Sequence, residues 1–320
     1  MALLRFLVVF LMAGSAWAQV VPLGKATPAP TPEPKVAAEE KVVPLGQEPG
    51  ADDNEVFGSE FFHQPAFGEN EITAGIGVII SSSVQRNSRF YESTATGIDP
   101  LSFQFAYGVG EKTAVGFRLA YASYQVSAGG DSDKAKGLYN PVLFFSGMLP
   151  KSGFKINYGA DVILPFQKGK VESNGDSNVA SGEFSIAPTV GAEIPASWGF
   201  FGPKLRYLIR GERETEFTTV DAKYKDGNRL SLVLFNEWKL DHSRVGVRVN
   251  QNWVEESKIT SPGTERTSSA SYEWTSANVY ARIASSPTFE ILPDISHAFR
   301  RGGYDKYSST DLKLDFRFIF

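Results

Sequence analysis

The chain contains no cysteine, only three methionines and only three histidines in 320 residues. Without cysteine there are no disulfides, thiolate metal sites or thiol nucleophiles. Beyond the N-terminus no stretch of about 18 apolar residues occurs, which excludes a bundle of membrane-crossing helices. Net charge is only −4 and no basic tract is interleaved with aromatics, so no nucleic-acid partner is expected. Composition alone, 42% hydrophobic and 21% charged with a mean hydropathy of −0.18, resembles that of a soluble protein. The order of the residues says otherwise.

Residues 1–18 place Arg5 ahead of a short apolar run, Phe6 to Met12, and end in Ala16-Trp17-Ala18. That pattern predicts a secretory signal peptide cleaved before Gln19. Residues 19–69 form a different region. Seven of the 18 prolines fall between Val20 and Gly50, and Pro28, Pro30, Pro32 and Pro34 alternate. Alternating proline fixes φ and removes donors, so an extended, disordered, polyproline-like tether is expected. Val20-Val21-Pro22-Leu23-Gly24 recurs as Val42-Val43-Pro44-Leu45-Gly46, which reads as spacer drift rather than a duplicated docking motif. Residues 19–70 carry nine acids against three lysines, which leaves the rest of the chain close to neutral.

The C-terminus carries the sharpest pattern. Asp311-Leu312-Lys313-Leu314-Asp315-Phe316-Arg317-Phe318-Ile319-Phe320 alternates charged and apolar residues and ends on Phe. Alternation of this kind gives a strand one apolar and one polar face. The segment resembles the closing strand of Gram-negative outer-membrane β-barrels. The resemblance implies an all-β transmembrane barrel in which Phe316, Phe318 and Phe320 form the signal read by the barrel-assembly machinery.

Upstream, twelve segments of similar alternation are expected over residues 70–320, forming an antiparallel up-and-down barrel. Ile72, Ala74, Ile76, Val78 and Ile80 mark the outward face of the first; Leu205, Tyr207 and Ile209 mark that of the seventh. The segment near Pro141–Leu149 is least regular, with apolar residues on both faces. Tight turns such as Gly110-Glu111-Lys112, Pro150 to Gly153 and Asp241-His242-Ser243 alternate with longer polar loops such as Ser127–Lys136, Lys168–Ser181 and Glu255–Ser269. That alternation puts both termini on the short-turn, periplasmic side. A soluble β-sandwich predicts neither the loop asymmetry nor aromatics at strand ends, here Tyr107, Tyr121, Phe166, Tyr207, Trp238 and Trp253. Prolines 165, 188, 203 and 293 run against the reading, since proline removes a ladder donor.

The opposite parity faces the lumen. It presents Lys204, Arg206, Arg210 and Glu212, then Arg229, Glu237 and Lys239, then Arg244, Arg248, Asn250 and Asn252. Arg118, Lys155, Asp161, Glu183, Glu193, Arg282, Glu290, Asp294, Asp311, Lys313, Asp315 and Arg317 complete the set. Bases concentrate on the seventh to ninth strands and acids mostly on the fifth, sixth, eleventh and twelfth, which predicts a transverse field attractive to anionic or zwitterionic solutes. Salt bridges that close the lumen are the competing arrangement. The acidic, Phe-rich segment Asp52–Phe67 is also a candidate plug.

Catalytic chemistry finds little support. His297 is followed by Ala298 and Phe299, without the Ser two residues on that outer-membrane phospholipases use. Asp294, Asp305 and Asp311 lack the spacing of an omptin-type protease. Gly108-Val109-Gly110-Glu111-Lys112-Thr113 has the wrong spacing for a phosphate loop and precedes a strand. Asp131-Ser132-Asp133 lacks further carboxylates at calcium-site spacing. Tyr107 to Tyr121 is similar, over one hairpin, to turn segments of barrels for aromatic-compound uptake. No enzyme, metal or cofactor is expected. The expected function is passive diffusion of small hydrophilic solutes, anionic ones among them, through a porin-like channel. Arg118, Arg206, Arg210, Arg229, Arg248, Arg282, Asp161, Glu183, Asp315 and Arg317 would set selectivity, outer-membrane lipid would surround the wall, and the tether would contact cell wall or an envelope protein. A structural or adhesive barrel with a closed lumen comes second and an outer-membrane enzyme third.

Overall fold

Successive side chains of an extended chain point to opposite faces, so a period-two sequence makes a sheet with two different surfaces. The computed structural model describes residues 59–320 apart from 87–92, 129–130, 173–175, 218–220, 241–242, 262–263, 270 and 302–304. The expected signal peptide, the expected proline-rich tether with its repeat, residues 52–58 and His242 lie outside the described residues, as do the side chains of Asp131 and Asp305.

Twelve strands make the wall. They are β1 (Asn70–Arg86), β2 (Ser93–Gly110), β3 (Thr113–Ala128) and β4 (Asp131–Leu138, resumed at Val142–Lys151). Next come β5 (Phe154–Ile163), β6 (Ser185–Ala196), β7 (Gly199–Arg210, resumed at Glu212–Phe217) and β8 (Asp221–Lys225, resumed at Arg229–Leu240). Last come β9 (Ser243–Val254, resumed at Ser257–Ser261), β10 (Thr264–Ser269, resumed at Tyr272–Ser286), β11 (Phe289–Arg301) and β12 (Asp305–Ile319). Each pairs antiparallel with its sequence neighbours, and β12 returns to β1 with Ile72 opposite Phe318. Asn70 and Phe320 finish the seam by exchanging backbone hydrogen bonds at 2.8 and 2.9 Å. Closure leaves no edge strand.

The two faces separate as the alternation requires. Leu101, Val190, Leu205, Val279 and Ile295 stand exposed outside, whereas Ala114, Ala187, Glu237 and Asn252 are buried inside. An apolar exterior around a polar interior suits lipid outside and water or polar contacts within. Tyr107 and Trp238 lie toward the short-turn end of this band, Tyr121 and Phe166 toward the other.

Three features differ from expectation, and the two-faced apolar character expected of β4 has a structural reason. The segments Ser127–Lys136 and Glu255–Ser269 are mostly paired hairpins rather than loops: Ser127 lies opposite Ser132, and Lys258 opposite Thr267. Their donors pair across the hairpin and so extend the strands. β4 is apolar on both faces because Phe144 turns inward, its ring seated against the missing side chain of Gly116 with the Arg118 guanidinium 5.7 Å above it. Glu212 faces outward and pairs with Lys223 at 3.4 Å, because the chain rotates at Gly211 and presents Arg213 inward instead. Lys239 is exposed at the short-turn end.

The prolines are resolved by register. Between β6 and β7 the ladder runs from Thr189↔Arg206 to Ile186↔Ile209 and skips Pro188; it also skips Pro203 between Phe201↔Ile194 and Lys204↔Gly191. Between β10 and β11 it skips Pro293, between Tyr280↔Asp294 and Ile283↔Ile291. Each proline keeps its other neighbour (Ala160, Leu234 and Leu314 respectively), so a missing donor falls where no acceptor waits. Pro165 lies beyond the end of β5.

The outward face is directly testable. Val279, 55% exposed at the centre of β10, becomes costly as a cation in hydrocarbon. Val279→Lys should lower unfolding stability in bilayers by about 2–4 kcal/mol, measured by reversible urea unfolding in liposomes. An unchanged midpoint would show that Val279 does not face lipid.

Candidate functional site

A ring of charge lines the lumen at the short-turn end. Glu71, Glu193, Glu237 and Glu290 are almost wholly buried there, together with Arg244, Arg282 and Arg317. Buried charge is tolerated only when paired and hydrogen-bonded. Part of this pairing comes from outside the wall. The residues just before β1 turn back into the mouth, where Glu60–Phe62 form one 3-10 turn. The Ser59 N–H and hydroxyl donate to Glu193 Oε2 at 2.8 and 2.5 Å, and the Glu60 N–H donates to both oxygens of Glu237 at 3.1 and 3.0 Å. Arg317 grips the Glu60 carboxylate with two hydrogen bonds of 2.8 and 2.5 Å, and Arg282 stands 3.8 Å away. Arg317 also meets Glu290 at 2.8 Å and Glu71 at 3.2 Å, while His63 Nε2 contacts Glu71 at 2.5 Å. The wall adds Arg244 and the Tyr280 hydroxyl, which donate to Glu237 at 3.2 and 3.1 Å.

Two aromatic side chains wedge the turn in place. Phe61 stacks on Phe235 with ring centroids 4.6 Å apart, and Phe62 meets the same ring edge-on at 5.5 Å. Phe62 also fills the space left by Gly191, where an added Cβ would lie 2.5 Å from its ring. The Lys204 ammonium sits 5.0 and 5.6 Å from the Phe61 and Phe62 centroids, a cation–π arrangement. Downstream, Phe67 bridges to Gly108, whose missing side chain lets the Ala66 carbonyl approach.

Beyond this plug the lumen opens into cavities of about 800 and 770 Å³, both bordered by Phe61, Lys204 and Arg248. Most of the expected lumen residues face this space or its rim in pairs. Arg206 meets Asp161 at 2.9 Å and Arg248 meets Asp294 at 2.5 Å. Arg210 stands 3.8 Å from Glu183 and 3.3 Å from Asp226, and Asp315 accepts from Lys313 at 2.7 Å. Arg282 pairs with Glu290. Among the described residues Arg118, Lys204 and Arg229 have no carboxylate partner; Arg118 instead donates to Gln104 at 3.1 Å. Phe316 and Phe318 pack beside Phe289 on the outer face, and Phe320 is exposed at the seam. His297 is on the outer face, its Nδ1 2.9 Å from the Thr310 hydroxyl, and Asp294 is on the inner one. The two are not a catalytic pair.

No protein-family model matches the chain, and no curated protein sequence matches it. Solved structures do. An outer-membrane channel from Pseudomonas putida F1 aligns with a TM-score of 0.67 at 10% identity, over 82% of this chain and all of that one. This chain has the fold of a Gram-negative outer-membrane β-barrel. The translocator domain of autotransporter NalP from Neisseria meningitidis aligns with a TM-score of 0.45 (11% identity, 81% of this chain and 90% of that one). A mutant of the TodX monoaromatic hydrocarbon channel aligns with 0.46 (8% identity, 79% and 90%).

Most of the charges expected to face the lumen do so, but sequence reasoning missed Glu71 and Phe235 as receivers of the plug and Tyr280 as a donor to Glu237. An inward-parity Phe on β8 was the available signal, since a water-filled lumen has no use for one. Burial raises the Glu60 carboxyl, but Arg317, with His63 and Arg282, outweighs it and holds the group below the ordinary carboxylate range. A lowered folded-state value means the contact is complete above that range and is lost as pH falls through it. Acidification below the ordinary carboxylate range should therefore release the plug, read as a rise in bilayer current; a current flat with pH would contradict this. At neutral pH a single Ser59→Cys, in a chain otherwise free of cysteine, should resist thiol reagents because Ser59 is fully buried. Adding Glu60→Gln should speed its labelling at least tenfold, given that breaking a buried pair costs about 3–5 kcal/mol. Equal labelling rates would mean that Glu60 does not hold the segment.

Proposed function

We propose that the protein is an outer-membrane channel for passive diffusion of small hydrophilic, predominantly anionic solutes, closed at its periplasmic mouth by residues 59–64. The supporting observation is the lumen beyond the plug, where Arg118, Lys204 and Arg229 lack carboxylate partners among the described residues. Uncompensated cations in a low-dielectric passage raise local anion concentration. Arg206, Arg210 and Arg248, with Asp161 and Glu183, shape the field around them, and the Arg282, Arg317 and Asp315 groups anchor the mouth. In this reading both termini are periplasmic, the acidic tether runs toward the cell wall or an envelope protein, and Phe316, Phe318 and Phe320 address the barrel-assembly machinery. A structural barrel with a permanently closed lumen is the second reading, and the buried contacts of Ser59 and Glu60 are what favour it.

Planar-bilayer recording separates the two. Full-length protein should conduct weakly, and deletion of residues 19–67 should raise the current and give a reversal potential favouring chloride over potassium. Arg206→Gln with Arg248→Gln should shift that potential toward potassium. Heat-modifiable gel migration verifies that each variant is folded. A folded deletion variant with no current would exclude the channel and leave the closed barrel.

A further inference from the structure

The cavity of about 770 Å³ lies against β7 to β12, with Phe61 as part of its lining. Its wall carries Lys204, Arg206, Arg229 and Arg248 against one carboxylate, Asp311. Three of these five charges are already engaged: Arg206 by Asp161, Arg248 by Asp294, and Asp311 by the hydroxyl of Ser309 at 2.9 Å. Lys204 and Arg229 are left. Beside Arg229, three polar atoms lack any hydrogen-bond partner: Arg229 Nε, Asn252 Nδ2 and Asn250 Oδ1. Asn252 is 1% exposed. Register puts Asn252 on β9 opposite Ser231, two residues from Arg229, and Asn250 opposite Val233, two residues further on, with Trp274 of β10 opposite Asn252.

Nearly all buried polar groups find partners, so orphaned atoms on three residues that line one cavity mark a place where a partner belongs. Two orphaned donors, one of them on Arg229, which has no carboxylate partner among the described residues, suit a group that only accepts, and a carboxylate is such a group. The Asn250 oxygen then calls for a donor on the same molecule. Phe61, Val233 and Trp274 line the cavity with apolar surface for a short carbon skeleton. We propose that this cavity is a binding subsite for a small hydroxycarboxylate, held by Arg229, Lys204 and Asn252 through its carboxylate and by Asn250 through its hydroxyl. The proposal deepens the channel reading and rests on it for its role in passage. A solute that paused here would stand directly above the plug.

Calorimetric titration of the full-length, detergent-purified protein with L-lactate reads the subsite whether or not the barrel conducts. Lactate should give a saturable heat, glycerol none, and inorganic phosphate a weaker response than lactate. Arg229→Gln should weaken lactate binding about tenfold, the loss expected for one charged hydrogen-bond partner. Asn252→Asp, of unchanged size, should weaken it similarly by repelling the anion, and keeps the test available if Arg229→Gln does not fold. Lys151→Gln, at an exposed turn, should bind as the parent does. No saturable lactate heat, tighter binding of phosphate, or full binding by Arg229→Gln would overturn the subsite. A barrel that conducts but binds no lactate loses the subsite and keeps the channel. One that binds lactate yet passes no current after plug deletion keeps the ligand and loses the passage.

Discussion

Hydrocarbon neither donates nor accepts hydrogen bonds, so each backbone N–H and C=O that lies in it must be paired within the chain. A sheet meets this demand only by closing on itself. Closure here depends on the last residues reaching the first, with Phe318 opposite Ile72 and Phe320 exchanging bonds with Asn70. The placement of Pro188, Pro203 and Pro293 follows from the same demand, because each sits beside an interruption that leaves no acceptor waiting. The outward Leu, Val and Ile side chains come second in this logic. They make the closed cylinder soluble in lipid, whereas the ladder makes it a cylinder.

A cylinder of twelve strands is wide enough to need filling, and here the filling is ionic. The acids of the mouth are too deeply buried to rely on water. Glu237 takes Arg244, the Tyr280 hydroxyl and the Glu60 N–H, while Glu193 has Ser59 and, at 3.6 Å, Lys155. The six residues entering from the N-terminal side are thus part of the electrostatic balance of the wall, not a loose cap on it. Beyond the plug the balance is left incomplete, with Arg229 and Lys204 lacking carboxylate partners among the described residues. Closed chemistry at one end and open chemistry at the other gives the lumen a direction.

The wall was legible in the sequence because period-two alternation is local: the parity of Leu101, Leu205 or Leu312 is fixed by the residues beside it. Reading failed where one residue changed the geometry without changing the pattern. Gly211 rotates β7 so that Arg213, not Glu212, faces in, and Gly116 makes room for the inward Phe144. The hairpins beyond Ser127 and Glu255 looked like loops because their polar residues resemble loop composition, although their backbones pair. The plug was visible only as an acidic, Phe-rich stretch. Its partners lie 134 residues away at Glu193, 177 at Glu237 and 257 at Arg317, and no window of sequence joins residues so far apart.

Those long separations bear on the order of assembly. The pocket that receives Ser59 to His63 is contributed by β1, β6, β8, β10 and β12, so it does not exist while the sheet is open. Arg317, which grips Glu60, belongs to β12, the strand that closes the barrel against β1. The plug can seat only after the wall is finished, which makes its seating a report of completed closure. An unfinished barrel would carry Glu60 and its neighbours unclaimed at the mouth, chemically distinguishable from the finished molecule to anything that inspects that face.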